Sequence, residues 1–282
     1  MLSIIIPHYN SPDLLYRLIK SIGNYRDIEI IIVDDNSTKP YKREELSDYS
    51  NIVNLVNNTN VKGAGVCRNI GLAASNGEWV LFADADDVFL PGYYSIVASY
   101  FKEDGDIVFF PPTSHNLSGT ACNRHVKYAL LLESDDLNHV GTQFIVPWSK
   151  LYRRDSIKSI KFDETLVSND VMFSLRAYCN AKKIVISEKK IYSVCGDAGG
   201  LSRPTNKRHF TRLDVAIRAN KFLKLQNLRK YQHPLIFYIL TSIKFGYRCL
   251  FSTVVKILKS KSKIFPESPL RYFYNLFFYR IK

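Results

Sequence analysis

The sequence predicts an α/β fold: a mixed, mostly parallel sheet flanked by helices and followed by a basic helical extension. Three observations predict it. Runs such as "LSIII" and "IEIIIV" are continuously apolar and β-branched, as in strands covered on both faces. Segments with helical apolar spacing separate such runs, giving the order β-α-β-β-α-β before residue 90. Charge is uneven: residues 1–202 carry 21 Lys/Arg against 24 Asp/Glu, whereas residues 203–282 carry 18 against two, a net +16 that sets the whole chain at +13.

Each element follows from a local pattern. "LSIIIPHYN" is a buried strand that Pro7 is expected to break, ending in a loop. "SPDLLYRLIKSI" offers Ser11 as N-cap, Pro12 at the first helical position, and Leu14, Leu15, Leu18, Ile19 and Ile22 at helical spacing. "IEIIIVDDNS" is a second strand ending in acids and turn formers, and "NIVNLVNN" a third. "GAGVCRNIGLAAS" reads as a helix opening after glycines, "EWVLFADADD" as a strand, "PGYYSIVASYF" as a helix and "DIVFFPP" as a strand. Within 113–143, "VKYALLL" suits helix or strand. "TQFIVPWSKLYRRDSI" gives a strand, a turn bearing Trp148 and a short helix. "SNDVMFSLRAYCNA" is a helix with Ser168 as N-cap, and "KIVISEKKIYSVC" one or two strands. "GDAGGLSRPTNKRHF" is a loop rich in Gly, Ser, Thr and Pro, and from Phe210 onward the pattern is helical, basic and aromatic.

A hydrophobic fraction of 46% and 282 residues suffice for a sizeable core, which excludes a disordered or fibrous chain. The five cysteines are widely spaced without a CxxC pair, so neither a zinc site nor a disulfide framework is expected, and a reducing cytosol fits. "MLSIIIPHYN" lacks a basic n-region and reads as a first strand, not a signal peptide.

The chemistry gathers at strand ends. "PHYN", "DDNS" and "DADD" each follow an apolar strand, and ligands of open parallel sheets collect outside those carboxyl ends. Asp and Asn are also ordinary turn residues, which accounts for one such cluster more easily than for three at one edge. In "DADD", Asp84 and Asp86 flank Ala85 with D-x-D spacing, which presents two hard oxygen ligands to one region while Asp87 turns away. Such ligands suit Mg²⁺ or Mn²⁺ rather than zinc.

Together "SIIIPHYN", "IEIIIVDDNS", "KGAGVCRNIGLAASNGEWVLFADADD" and "WSKLYRRD" resemble the family 2 glycosyltransferases of the GT-A fold, in order, from residue 1 to about 205. The resemblance implies a nucleotide-diphospho-sugar transferase that inverts the anomeric centre, with a UDP-sugar donor, a glycan or lipid-linked acceptor in bacterial surface polysaccharide synthesis, and Mn²⁺ or Mg²⁺. It implies a nucleotide-binding half, 1–112, and an acceptor-binding half, 113–205. Pro7, Tyr9 and Asn10 would border the base, Asp34 would accept a hydrogen bond from it, and Asp35 would lie nearby. Arg68 would hold the nucleotide, Asp84 the ribose, and Asp86 the metal. The base that takes the acceptor's proton would be Asp170 in "FDETLVSNDVMFSL", where Asn169 departs from the more usual acid; Asp163 and Glu164 are weaker substitutes. A plainer role for Asp170 is to cap its helix. Trp148 could face a sugar or fill the core. Lys150 and Arg153 could be surface residues or face phosphate. The loop 196–209, with Ser202, Arg203, Lys207, Arg208 and His209, has the cations and glycines of a lid over the diphosphate. His8 and His139 carry no persuasive signal.

The tail, 206–282, alternates aromatic and basic residues. Lys244, Arg248 and Lys256 interrupt its apolar run and recur on one helical side, so it is expected to lie in an anionic membrane interface rather than span it. That would set the enzyme peripherally on the cytoplasmic face of the cell membrane. The alternatives are a helical subdomain on the catalytic body or an oligomer contact. A sugar nucleotidyltransferase would need a Gly-rich, basic loop after the first strand, and "PHYNSPDLL" has neither. A nucleic-acid binder would leave the acidic clusters unexplained. A dehydrogenase fails because "GAGVCRNIG" is not G-x-G-x-x-G.

Overall fold

The structure, a computed structural model, describes residues 1–197 and 205–266. In chain order its elements are β1 (Leu2–His8), α1 (Pro12–Ile22), β2 (Ile28–Asp34), β3 (Ile52–Val56), α2 (Ala64–Ala74), β4 (Trp79–Phe82), β5 (Val88–Phe89), α3 (Tyr93–Ser99), β6 (Ile107–Phe109) and β7 (Thr113–His115). There follow α4 (Val126–Leu131), α5 (Leu137–Gln143), β8 (Lys150–Arg153), α6 (Arg154–Ile157), α7 (Val171–Asn180), β9 (Ile184–Ile186), β10 (Tyr192–Cys195), α8 (Asn206–Leu225), α9 (Ile236–Ser242) and α10 (Tyr247–Ser260).

Seven strands form one sheet in the order β3-β2-β1-β4-β8-β6-β9. β3, β2, β1 and β4 run parallel, while β8 is antiparallel to both β4 and β6. The apolar runs that predicted these strands are the core: Ile4, Ile5, Ile6, Ile30, Ile31 and Ile32 are all buried. β1, β2 and β4 are neighbours, so the three polar strand ends share one edge. A second sheet, β5-β10-β7, lies beyond that edge and anchors the chain after "DADD".

α1 buries Leu15, Leu18, Ile19 and Ile22 against the core, as its spacing predicted. α2 lies close on β1 because residue 71 is glycine; a Cβ there would sit 2.5 Å from Ile5 Cγ2.

Five local expectations are corrected. Pro7 does not break β1, which pairs with β2 through His8. Ile5 O accepts from Ala83 N, so by alternation the Pro7 nitrogen faces the β4 side, past the end of the β1–β4 ladder, where no donor is needed. Ser11 makes no side-chain cap bond; its amide donates to His8 Nε2 instead. Ser168 is left-handed at φ 56°, which turns the chain before the helix, and Asp170 holds the N-cap position of α7. The strand expected before Trp148 follows it as β8, because α5 runs to Gln143 and the buried Phe144 and Trp148 occupy an irregular segment. α8 begins at Asn206, with Thr205 capping Arg208 N, so Lys207, Arg208 and His209 are helical rather than part of a loop. His209 is buried and bonds Thr253 on α10.

The tail is not separate from the body. α8 sets Val215, Ala219 and Leu223 against Val171, Met172 and Leu175 of α7. Arg218 forms a two-pronged ion pair with Asp163, at 2.6 and 3.3 Å, and Tyr231 donates to Asp136. α9 and α10 fold back on each other as a hairpin, with Leu235 N and Ile236 N donating to Lys263 O and Ile264 O.

Candidate active site

At the end of β1, His8 is buried and its Nδ1 lies 2.7 Å from Asp34 Oδ1. Because the Ser11 amide donates to Nε2, the ring carries its proton on Nδ1 and gives it to Asp34. Ser37 adds its amide and hydroxyl to the same carboxylate, at 2.9 and 2.6 Å. Burial alone would raise Asp34, but these donors hold it below the usual carboxylate value. Asp34 is thus a fixed, ionised acceptor. Asn10, left-handed at φ 51°, ties the two loops together: its amide donates to Ser37 Oγ and its Oδ1 accepts from Lys39 N. Tyr9 projects from this edge, 51% exposed, with Lys62 Nζ 5.3 Å from its ring centre. Pro7 is half-buried in β1.

Asp35 is corrected as a ligand-facing residue. It is buried, and its two oxygens accept from Asn57 Nδ2 and Gly63 N. It clamps the end of β2 to the start of α2, and burial keeps it off the open edge.

α2 carries Arg68 into the centre of the edge. The buried guanidinium donates to Asp84 Oδ1 and to Asn169 Oδ1, the latter at 2.9 Å. It also lies 5.4 Å from the centre of the Phe162 ring. The approach of α2 to the segment before α7 needs glycine at 65, where a Cβ would come within 2.2 Å of Asp163 O. Asn169, a departure at the sequence level, is therefore the neutral partner that lets Arg68 direct its charge to Asp84.

The carboxylates of Asp84, Asp86 and Asp87 approach within 4.8 Å of one another. Asp87 turns inward: it is buried and accepts from Cys195 N at 2.7 Å and Tyr192 Oη at 2.8 Å. Burial, then the charges of Asp86 and Asp84, push it well above the usual carboxylate value. Its bonds fasten β10 to the "DADD" turn. Asp86 is half-buried and faces the cluster; burial and the adjacent Asp84 push it up to about 6, against the charges of Arg124 and Arg17. Arg17 also donates to the Asp86 carbonyl. The donor set left for a hard divalent cation is Asp86 with the second oxygen of Asp84, since Asp87 is consumed. Ala85 is buried among core residues, so only its backbone can meet a ligand.

Asp170 stands at the start of α7, half-buried, with no cap bond and no other side chain bonded to its carboxylate among the described residues; its own amide is the one backbone donor. Asp170 thus occupies the N-cap position without making the capping hydrogen bond. Burial pushes it up to about 6, with Arg68 and Lys150 pulling the other way and Asp84 adding to the rise. The neighbouring Lys150 is neither on the surface nor facing phosphate. It is buried, donates to Phe144 O, and lies 4.9 Å from the centres of the Phe109 and Phe144 rings. Burial pushes it down to about 7. Arg153 pairs with Glu78 at 2.8 Å over Trp79, away from the site.

Trp148 is corrected as a sugar platform. It is 5% exposed and its ring packs against Tyr128, Phe144 and Tyr192 in the core. Ser202 and Arg203 lie outside the described residues. Asp163 is engaged by Arg218 and does not serve as a substitute base. The cavity of about 520 Å³ between α7 and the end of α8, lined by Lys161, Arg176, Cys179 and Gln226, contains none of these residues.

Sequence reasoning missed His8, Lys150 and Tyr192. A signal existed for His8: it shares strand alternation with the buried Ile4 and Ile6, which puts an imidazole inside. Nothing local marks Tyr192 as the partner of Asp87, 105 residues earlier.

A family-wide profile, Glycosyl transferase family 2, matches residues 3–161. The chain is 30% identical over 205 residues to the poly(ribitol-phosphate) beta-N-acetylglucosaminyltransferase TarS of Staphylococcus aureus, a match covering 67% of this chain and 35% of TarS. It thus spans about a third of that relative. A GalNAc(5)-diNAcBac-PP-undecaprenol beta-1,3-glucosyltransferase of Campylobacter jejuni is 24% identical over 273 residues, covering 90% of this chain and 88% of that one. In fold, TarS 1–349 in complex with UDP-GlcNAc superposes with a TM-score of 0.69 at 21% identity, covering 92% of this chain and 81% of that one. A mannosyltransferase of Pyrobaculum calidifontis in complex with GDP-Man and Mn²⁺ does so with 0.60 at 12%, covering 93% and 76%. The profile match over more than half of its length, on a GT-A sheet, shows that the chain belongs to glycosyl transferase family 2.

Proposed function

We propose that the chain is an inverting, metal-dependent glycosyltransferase that moves a sugar from a UDP-sugar to a glycan or lipid-linked oligosaccharide in bacterial surface polysaccharide synthesis, such as capsule, O-antigen or lipooligosaccharide. The observation that carries the reading is Asp170: a half-buried carboxylate with no side-chain hydrogen-bond partner among the described residues, on the same edge as Arg68 and Asp84 and pushed up to about 6. Such a group is mostly ionised above pH 7 yet basic enough to take a proton from a hydroxyl. On this reading residues 1–112 bind the nucleotide and residues 113–205 the acceptor. The enzyme works at the inner face of the cell membrane, attached peripherally through residues 206–282.

The acceptor oxygen attacks the anomeric carbon from the side opposite the diphosphate and gives its proton to Asp170. The bond from that carbon to the phosphate oxygen breaks, and UDP leaves with the electron pair. Asp34, fixed by His8 and Ser37, keeps one lone-pair direction for an N–H of the base, and Tyr9 offers a face for stacking. Arg68 keeps Asp84 in place for the ribose. Asp86 with Asp84 would hold Mn²⁺ or Mg²⁺, which when bound neutralises charge developing on the departing diphosphate. Titration calorimetry with UDP, with and without Mn²⁺, tests the donor half of this reading. Binding should require the metal in the wild type and weaken sharply in Asp86→Ala; metal-independent binding of equal strength refutes it. A panel of nucleotide sugars scored for metal-dependent turnover then names the donor.

A further inference from the structure

We propose that the outward face of α10, extended by α9, docks on an anionic lipid bilayer, with the helix lying in the plane of the headgroups. The proposal rests on the peripheral attachment read above and gives it a surface and a partner; it does not depend on which donor is used.

α10 has two distinct sides. At about 100° per residue, Cys249, Thr253 and Ile257 share one face. All three are buried, and Thr253 bonds His209 of α8. Tyr247, Phe251 and Leu258 fall within an arc of roughly 40° on the far side. They are 76%, 71% and 62% exposed. Leu240 and Ile243 continue the apolar surface on the α9 side, and Phe265 lies just past α10; all are exposed. Single exposed apolar residues need no explanation, but three large ones on one face of one short helix, with three more beside it, call for a partner.

The charge around this face selects the partner. Arg248 and Lys259 border the apolar arc on α10, and the exposed Lys244 and Lys261 flank it. No acidic residue occurs between Asp214 and Glu267. An apolar strip with cations along one flank and no acid near it in the chain complements acyl chains beneath anionic headgroups. No described helix is long and apolar enough to cross a membrane, so the helix lies on the bilayer.

The structure also corrects which cations take part. The sequence put Lys244, Arg248 and Lys256 on one side. Gly246, at φ 87°, breaks the helix between the first two, and Lys256 turns back to Asp214 on α8, at 2.7 and 3.0 Å. Lys256 belongs to the inner contact.

The test is co-sedimentation of the full chain with phosphatidylcholine vesicles, with and without phosphatidylglycerol. Wild type should bind the anionic vesicles, bind less as salt rises, and leave the neutral ones. Tyr247→Ser/Phe251→Ser and Lys244→Glu/Arg248→Glu should each weaken binding at least about tenfold. Lys256→Ala should not. All the ridge positions are exposed, so the variants should keep wild-type circular dichroism and UDP binding, which separates failure of this proposal from failure of the donor reading. Equal binding to neutral vesicles, or ridge variants that bind like wild type, overturns the proposal. So does light scattering in which the ridge variants convert a dimer to monomer while wild type ignores vesicles; the face would then hold a second copy.

Discussion

Asp170→Asn should make the protein more stable and nearly inactive, and the stability gain should depend on pH. Burial raises the Asp170 carboxyl from 3.8 to about 6. A shift of about two units corresponds to about 3 kcal/mol between the two protonation states. Asp170 is half-buried, so water screens part of this, and about 1–2 kcal/mol is the expected gain. The sign follows from linkage. The folded state holds this proton more tightly than the unfolded chain, so ionisation costs nothing below about pH 4 and costs its full amount above about pH 6. The amide removes that cost. Urea melts of both proteins without divalent metal should coincide near pH 4 and separate by pH 8, with the variant more stable. Loss of the base should lower transfer by about 10²–10⁴-fold while UDP binding persists. A variant less stable than wild type at pH 8, or one that turns over within a few-fold of wild type, would refute the assignment.

Two further outcomes follow from the site. Below about pH 7 Lys150 is charged and favours the Asp170 carboxylate. Lys150→Met, of similar volume, should therefore move the acid limb of the kcat/KM profile up by as much as about one pH unit. The donor KM should not change; an unmoved limb would exclude an electrostatic link. Asp87→Ala would strand the Cys195 amide and the Tyr192 hydroxyl. It should cost about 1–3 kcal/mol in urea melts and speed hydrogen exchange in β10, whereas unchanged exchange would mean that Asp87 does not fasten that strand.

The fold was legible because its signals are local. Continuous runs such as Ile30 to Val33 can only be strands covered on both sides, and the spacing from Leu15 to Ile22 can only bury one helical face. The D-x-D turn drew notice because it follows an apolar strand, whereas Asp170 was singled out only through the family resemblance. What the sequence hid is pairing at a distance. "DDNS" shows two adjacent acids, yet Asp34 stays half-buried at the edge while Asp35 is buried against Asn57 and Gly63, and no periodicity separates them. Trp148 and Lys150 look alike in sequence to residues of an open cleft. Tyr128, Phe144 and Tyr192 close over Trp148, and Phe109 and Phe144 over Lys150, contacts that join segments far apart in sequence.

α8 roofs the helix that begins with Asp170. Cutting the chain after residue 205 would lay bare Val171, Met172 and Leu175 and release Asp163 from Arg218. The C-terminal helices are therefore not a detachable anchor that could be grafted or shed without consequence. A chimaera that exchanges them must bring its own lining for that seam, or the proton acceptor loses its footing.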